Sequence, residues 1–468
     1  MRDVIQKSLF NEESSNCDER KPVLVNEVNF KQVQIFPAFE KITNGELFEI
    51  SLKNDTSPLT HGLHRFPAKF IPQIPRWAME QFALDSSIVL DPFMGSGTTL
   101  VEGLLRNGTT IGIDIDPLAR LIAYGKINTP SLERLICIGE QIRSSWSIST
   151  GLLVSPMPDI ENFNHWFSED AWRKLQSLWK IIKDFNVTES ERKFLLVLFS
   201  SILRWVSNAD DQSQKTYVSG TNKKTPPETM KTFWRSFEKA IKGINQLSKL
   251  RKSEAYVFIN DNADACSFKL PSKSIDLIVT SPPYLDSVDY LYNLMLEYFW
   301  LGQVLDVPDR TTFNKYRRLG IGAKQPLSKH PNLPPALKDL IHLEELPASR
   351  QQATITYFQQ MENHFNEASR CLKENARYVL VIGNSQTTNN IVPIHDCLVR
   401  LAATSGLNLE KAFAYRIRRH YMKFPRKGRG GIILVDWIIV LKKDSKINLS
   451  SERLPLHWLK LGEREVAH

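Results

Sequence analysis

The sequence predicts an α/β fold, an open sheet flanked by helices with a helical domain inserted between its two halves, and three observations predict it. A β-like run, Ile275-Asp276-Leu277-Ile278-Val279, leads into the rigid polar turn Thr280-Ser281-Pro282-Pro283-Tyr284. A second short strand, Ile88-Val89-Leu90, ends in Asp91 and passes through Pro92-Phe93-Met94-Gly95-Ser96-Gly97-Thr98-Thr99 into the helical stretch from Leu100 to Arg106. Between Arg120 and about Glu254 the apolar spacing is helical, as in Trp172, Leu175, Leu178, Trp179, Ile182 and in Phe194, Leu195, Leu198, Ile202, Trp205. A strand connection is normally far shorter, so this stretch reads as an insertion.

Each element carries its own chemistry. Ligands in open α/β sheets bind at the carboxyl ends of strands, which is where the Pro-Pro turn falls. Neither Pro282 nor Pro283 has a backbone N–H, so the turn offers acceptors only. Ser281 adds a hydroxyl and Tyr284 a ring that stacks on a planar base, a set able to grip an exocyclic amine. The plain alternative is a Pro-Pro turn closing a buried strand. The Gly95-Ser96-Gly97 bend lacks the third glycine of a dinucleotide fingerprint, and Asp91 beside it repels a pyrophosphate, which favours a cationic or zwitterionic ligand. After it, Thr110-Ile111-Gly112-Ile113-Asp114-Ile115-Asp116-Pro117 reads as a second strand whose Asp114 stands where a ribose diol is held in nucleotide-binding sheets.

On these residues the chain resembles the amino-group DNA methyltransferases, the S-adenosylmethionine-dependent enzymes that methylate N4 of cytosine or N6 of adenine. DPFMGSGTT resembles their cofactor motif I and TSPPY their catalytic motif IV; His61-Gly62-Leu63-His64-Arg65-Phe66-Pro67-Ala68-Lys69-Phe70-Ile71-Pro72 resembles motif X. The resemblance covers roughly residues 60–125 and 257–443, in the order X, I, insertion, IV. It implies a Rossmann-like class I methyltransferase sheet with S-adenosylmethionine as cofactor. Asp91, Gly95, Gly97 and Thr98 would then surround the methionine part, with Phe93 packing nearby. Asp114 would hold the ribose hydroxyls, Asp264 would sit near the adenine amino group, and Lys69 and Phe70 would close over the amino-acid end. Catalysis would fall to Ser281, Pro282, Pro283 and Tyr284. The Ser at the head of the motif tilts the target to cytosine N4, with adenine N6 as the alternative.

Methyl transfer from a sulfonium to an amino nitrogen is an in-line displacement that needs no covalent enzyme intermediate. The nitrogen lone pair, however, is delocalised into the base ring. Acceptors at Ser281 and the Pro282 carbonyl would take the two amine hydrogens and point the lone pair at the methyl group. A base inside a duplex is out of reach, so the target nucleotide would be extruded from double-stranded DNA and stacked on Tyr284. The competing cytosine C5 chemistry uses a cysteine nucleophile presented after a proline. None of Cys17, Cys137, Cys266, Cys371 and Cys397 follows a proline, and none forms a CxxC pair, so neither that chemistry nor a metal site is expected.

Net charge of +9 and a sequence pI near 9.1 have the sign expected for a polyanionic partner. No apolar run reaches the roughly 20 residues needed to span a bilayer, and Met1-Arg2-Asp3-Val4 lacks an apolar signal core, so a cytoplasmic location is expected. Over the 468 residues we expect an N-terminal arm (1–56), a cofactor-binding half (57–125), a helical insertion and candidate target-recognition domain (126–254), a catalytic half (255–445) and a tail (446–468). In the insertion, residues 207–227 break the helical pattern and offer Lys223 and Lys224 to DNA. The insertion's tryptophans, Trp146, Trp166, Trp172, Trp179, Trp205 and Trp234, read as core. Tyr290 to Trp300 reads as one helix with Asp286 and Asp289 at its start, and residues 303–350 as a non-periodic basic loop over DNA.

Seven Lys/Arg and no acid lie between positions 416 and 430, and Arg418, Arg419, Lys423, Arg426, Lys427 and Arg429 are candidate phosphate contacts. Three other functions use the same residues: an adenine-N6 enzyme, an RNA base-amine methyltransferase, and a DNA-binding adaptor without activity. A restriction endonuclease partner would be a separate chain, since no nuclease pattern stands out.

Overall fold

The computed structural model describes residues 23–24, 29–50, 58–67, 69–148, 162–211, 215–285, 289–323, 332–383, 392–417, 435–444 and 459–460. The strands are β1 (Val23–Leu24), β2 (Lys31–Val33), β3 (Leu47–Ile50), β4 (Ile88–Asp91), β5 (Gly108–Gly112), β6 (Ala255–Ile259), β7 (Ile275–Thr280), β8 (Leu372–Gly383), β9 (Leu407–Arg416), β10 (Val435–Lys443) and β11 (Leu459–Lys460). The helices are α1 (Gln73–Phe82), α2 (Thr98–Gly103), α3 (Pro117–Ile127), α4 (Leu132–Ile148), α5 (Phe163–Trp166), α6 (Glu169–Asp184), α7 (Glu189–Val206), α8 (Thr229–Leu250), α9 (Tyr290–Asn293), α10 (Met295–Leu301), α11 (Arg310–Leu319), α12 (Ala348–Cys371) and α13 (Ile394–Thr404). The chain divides into two compact units, one of residues 54–269 and 288–327, the other of residues 1–53, 270–287 and 328–468.

The first of these units carries a parallel set in the order β4-β5-β6, with Asp91 opposite Gly112 and Gly112 opposite Ile259. Its helices begin where the sequence offers caps. Asp116 accepts from the amides of Leu118 and Ala119 ahead of Pro117, Ser168 accepts from Ala171, and Thr188 and Glu191 form a reciprocal capping box. The inserted helices do not enclose a core of their own. Leu175, Trp179, Phe194 and Phe233 share one apolar cluster with Leu118 and Ile122 of α3 and with Leu291, Trp300 and Leu301 from beyond the catalytic motif. Burying each such side chain is worth about 1.5–3 kcal/mol, which makes the insertion and the cofactor half one folding body.

Three expectations change here. The helix expected over Tyr290–Trp300 breaks at Leu294, whose φ of −111° and ψ of 21° separate α9 from α10. Asp289 does cap α9, whereas Asp286 lies outside the described residues. The stretch 303–350 contains α11, capped by Asp309 through the Thr312 amide, with Phe313 and Tyr316 packed on the apolar cluster. Periodicity was hidden because the rest of α11 is polar. Trp205 is 45% exposed, while Trp179 is buried and Trp146, Trp166, Trp172 and Trp234 pack partly buried against the core.

The second unit holds a mixed set in the order β2-β3-β9-β10-β8-β7. Strand β7 runs parallel to β8, and β10 lies antiparallel between β8 and β9. Residues Tyr378 to Gly383 of β8 and Val435 to Leu441 of β10 are buried without alternation, the pattern of strands covered on both faces. The N-terminal arm contributes strands: β3 pairs parallel with β9, and Phe36, Phe48 and Phe413 meet edge-to-face at 5.6–5.9 Å. Two residues of the tail, β11, pair parallel with β1. Both units are α/β, with helices and strands in the sets of a Rossmann-like sheet.

Gly97 precedes α2 with φ of +77°, and a Cβ there would lie 2.9 Å from Ala123 Cβ on α3. Gly97→Ala is therefore expected to destabilise this unit by about 1–3 kcal/mol through left-handed strain and overpacking, measured by urea denaturation of the full chain.

Candidate active site

The motif I bend is tied to the second strand by a ladder that continues past β4 and β5. Ile113 N donates to Asp91 O at 2.9 Å, Met94 N to Ile113 O at 3.0 Å, and Gly95 N to Asp114 Oδ2 at 2.8 Å. Asp91 is fully buried and accepts from Phe93 N and from the Thr99 hydroxyl, so it holds the bend onto the start of α2. Gly95 has φ of +48°, and a Cβ there would stand 3.1 Å from the ring of Phe66, which comes from the motif X strip. The opposite carboxyl oxygen of Asp114 accepts from Asp116 N at 2.9 Å, and Arg120 donates to the Asp114 and Ile115 carbonyls at 2.8 and 3.0 Å. Arg120 also pairs with Asp261 at 3.3 Å.

Burial, and then the neighbouring Asp116 carboxylate, push the pKa of half-buried Asp114 up to about 7. Asp116 is pushed up by burial too, against hydrogen bonds from the Tyr298 hydroxyl and two helix amides. One of its carboxyl oxygens, Oδ2, has no partner although it is buried. Two carboxyls short of positive charge beside a bend that rejects pyrophosphate suit a ligand carrying hydroxyls and a cationic centre.

Motif X forms the polar underside of this region. Buried His61 donates through Nε2 to Glu102 at 2.7 Å, and Arg76 reaches the same carboxylate at 2.8 and 3.2 Å. Burial lowers the pKa of His61, so Arg76 is the ionic partner that keeps Glu102 charged. Lys69 donates to the His61 carbonyl at 3.0 Å, and burial brings its pKa down to about 8. Phe70 is 7% exposed and belongs to the core. Lys126, a residue the motifs do not flag, is fully buried and donates to Ser96 O and Oγ at 2.8 and 2.9 Å; burial lowers its pKa well below the usual lysine range. Asp264 is exposed on a turn closed against Ser267 and accepts from Cys266 N.

The Ser281–Tyr284 turn lies in the other unit, directly after β7. Pro282 is buried, and Ser281, Pro283 and Tyr284 are half-buried. The hydroxyl of buried Tyr357 on α12 donates to the Pro283 carbonyl at 3.1 Å. The Tyr284 hydroxyl donates to Asp436 Oδ1 at 3.3 Å, while Tyr415 holds the other oxygen at 2.7 Å. Burial raises the pKa of Asp436, with both tyrosine bonds opposing it. The ring of Tyr284 and the second proline are thus fixed by side chains from α12, β9 and β10. Sequence reading missed Tyr357 and Asp436 because they lie 74 and 152 residues from their partners. No local pattern signals such a pairing. Asp116 was more legible, since Asp before Pro is a helix-start signature.

Among the expected DNA contacts, Arg418, Arg419, Lys423, Arg426, Lys427 and Arg429 lie outside the described residues. Lys223 is exposed. Lys224 turns inward, donating to the Arg204 and Ala209 carbonyls and pairing with Asp211 at 3.5 Å, which removes it from phosphate contact. Among the described residues no group of His, Cys, Asp and Glu could hold a metal, and no helix is long and apolar enough to cross a membrane.

The fold is a Rossmann-like α/β one, with a carboxylate-lined glycine bend in one unit and a Pro-Pro turn in the other. A family model described as DNA methylase, for the N6 and N4 enzymes, matches residues 12–124. The Type II methyltransferase M.MvaI of Kocuria varians is 25% identical over 417 residues, covering 83% of this chain and 89% of its own. M.MjaII of Methanocaldococcus jannaschii is 24% identical over 52% of this chain and 62% of its own, and M.BsoBI of Geobacillus stearothermophilus 25% over 54% and 55%. The chain is thus similar over most of its length to a Type II methyltransferase, and over residues 12–124 to the N6 and N4 DNA methylases. Solved structures aligned with it include a SAM-dependent methyltransferase from Methanosarcina mazei (12% identity, 78% of this chain and 96% of that one, TM-score 0.27). The rRNA methyltransferase aviRa from Streptomyces viridochromogenes also aligns (11%, 81% and 88%, TM-score 0.30). At these scores the alignments add nothing to the argument.

Two outcomes are expected from this geometry. Asp114 ionises near pH 7 when folded but near its ordinary value when unfolded, so the folded state binds the extra proton between those values and loses stability as pH rises through that window. The difference in Tm, Asp114→Asn minus wild type, should grow more positive from pH 5 to pH 8 in a thermal-melt series; a constant difference would contradict the assignment. Tyr357→Phe, which loses the bond to Pro283, should lower kcat by about 10-fold with the donor's Kd unchanged, read by single-turnover kinetics and calorimetry.

Proposed function

We propose that this methyltransferase acts on N4 of cytosine in double-stranded DNA at a specific sequence, with the target nucleotide rotated out of the helix. The observation that carries the reading is the Ser281–Tyr284 turn: it presents oxygens and one aromatic ring, and Tyr357 and Asp436 hold both in place. S-adenosylmethionine supplies a methyl group on a sulfonium, an electrophile that needs no further activation. What the protein must supply is an amine whose lone pair is free. The Ser281 hydroxyl and the Pro282 carbonyl accept the two amine hydrogens and favour a pyramidal nitrogen, and Tyr284 stacks on the extruded base. The nitrogen–methyl bond forms as the sulfur–methyl bond breaks, and the surplus amine proton leaves to water.

On the donor side, Asp91 shapes the bend, and Gly95, Gly97 and Thr98 bring backbone close to the methionyl part beside Phe93. Asp114 accepts the ribose hydroxyls, Asp264 serves the adenine amino group, and Lys69 and Phe70 close the amino-acid end. The serine heading the turn favours cytosine; adenine N6 is the second reading, on the same machinery. Lys223 and the basic segment 416–430 contact phosphates. The enzyme works in the cytoplasm, and a restriction endonuclease with the same target sequence would be a separate polypeptide.

Expression in a methylation-free host followed by single-molecule sequencing reports base and sequence together: N4-methylcytosine is expected, N6-methyladenine selects the second reading, and unmodified DNA overturns both. Ser281→Ala and Tyr284→Ala should each lower kcat by about 10²-fold or more with donor affinity kept. Asp114→Ala should do the opposite, raising the donor's Kd. If Ser281→Ala lost donor binding instead, the division of labour would be wrong.

A further inference from the structure

Helix α11 and the loop 215–224 are one-sidedly basic segments of the unit that also carries motif I. Arg310, Lys315, Arg317 and Arg318 lie on α11 with no carboxylate, and Lys215, Lys223 and Lys224 lie in the loop, again with none. Phe313 and Tyr316 anchor the helix on the apolar core, while Arg310, Lys315 and Arg318 are exposed. Arg317 turns inward, making a bidentate ion pair with Asp289 and standing 5.2 Å over the ring of Tyr292. Lys215 approaches the same ring at 5.7 Å. Tyr292 is therefore the common footing of helix and loop.

The loop is built to hold its shape. Arg204, 6% exposed, donates to the Asp210 and Lys215 carbonyls, to the Thr216 hydroxyl at 2.7 Å, and to the Asn293 carbonyl at the end of α9. The Thr216 hydroxyl donates to Asn293 O as well, at 2.7 Å. Nearby carboxylates are engaged within the fold: Asp210 accepts from the Tyr217 hydroxyl, Asp211 pairs with Lys224, Asp289 pairs with Arg317, and Asp309 caps α11; Asp306 is exposed one turn before it. Arg310, Lys315, Arg318, Lys215 and Lys223 are exposed, with Thr221 and Asn222 exposed beside Lys223.

We propose that α11 and the loop 215–224, joined through Tyr292, form a preset clamp for the phosphates of the DNA substrate. The proposal rests on the DNA reading above and adds to it a surface that binds irrespective of sequence. Cationic side chains on a rigid footing contact a polyanion at little cost in ordering, and each phosphate neutralised releases counterions.

The test is the salt dependence of duplex binding by the full chain, wild type against Lys223→Ala/Lys315→Ala, with Lys183→Ala on α6 as the control for bulk charge. The double variant is expected to lower the slope of log K against log salt by about 2 and to weaken binding equally for target and non-target duplexes. Lys183→Ala should leave the slope unchanged. A wild type that methylates DNA while the double variant keeps the full slope overturns the clamp alone. A wild type with no affinity for DNA overturns the clamp together with the reading beneath it. An unaltered Tm in the double variant shows that the fold survives the two substitutions.

Discussion

The cofactor half depends on one constraint, the locking of the glycine bend to the end of the second strand. The chain leaving β4 has to turn through Gly95 and Gly97 and start α2, and the backbone amides it exposes must find acceptors. They find Ile113 O and the Asp114 carboxylate. A side chain is thus used as part of the backbone ladder, which fixes the carboxylate where a ligand's hydroxyls would meet it. The same burial that fixes it raises its pKa to about 7.

Around that point the protein tolerates costly groups. Lys126 is buried and bonds the Ser96 oxygens, and His61, Glu102 and Arg76 form a connected network under the motif X strip. Burying a charge this way costs several kcal/mol unless geometry repays it, so such groups stabilise little by themselves. Their effect is positional. Lys126 holds the Ser96 peptide within the bend, and Lys69 is fastened to the His61 carbonyl. In the other unit, Tyr357 and the Tyr415–Asp436 pair act likewise on the Pro-Pro turn.

The helical insertion shows how a long interruption of a sheet is accommodated. Its helices bury their apolar faces against α3 and against α9 and α10, elements that flank the two motifs in the sequence. A separate domain would need its own core; sharing one keeps residues 215–224 and α11 in the same unit as the glycine bend.

Much was legible beforehand. Motif spacing, the Asp-Pro helix start and the helical periodicity of α6 and α7 follow from local patterns, because each depends on neighbours within about one helical turn or strand. The sequence by itself therefore determined the α/β class, the glycine bend after β4 and the Pro-Pro turn after β7. Tertiary structure alone decided the rest: that Lys224 points inward while Lys223 is exposed, that α11 is a helix, that Leu294 interrupts the helix after the catalytic turn, and that Tyr357 and Asp436 hold that turn. These depend on partners distant in the chain, brought together by burial of apolar surface, and burial carries no local signature that a sequence can display.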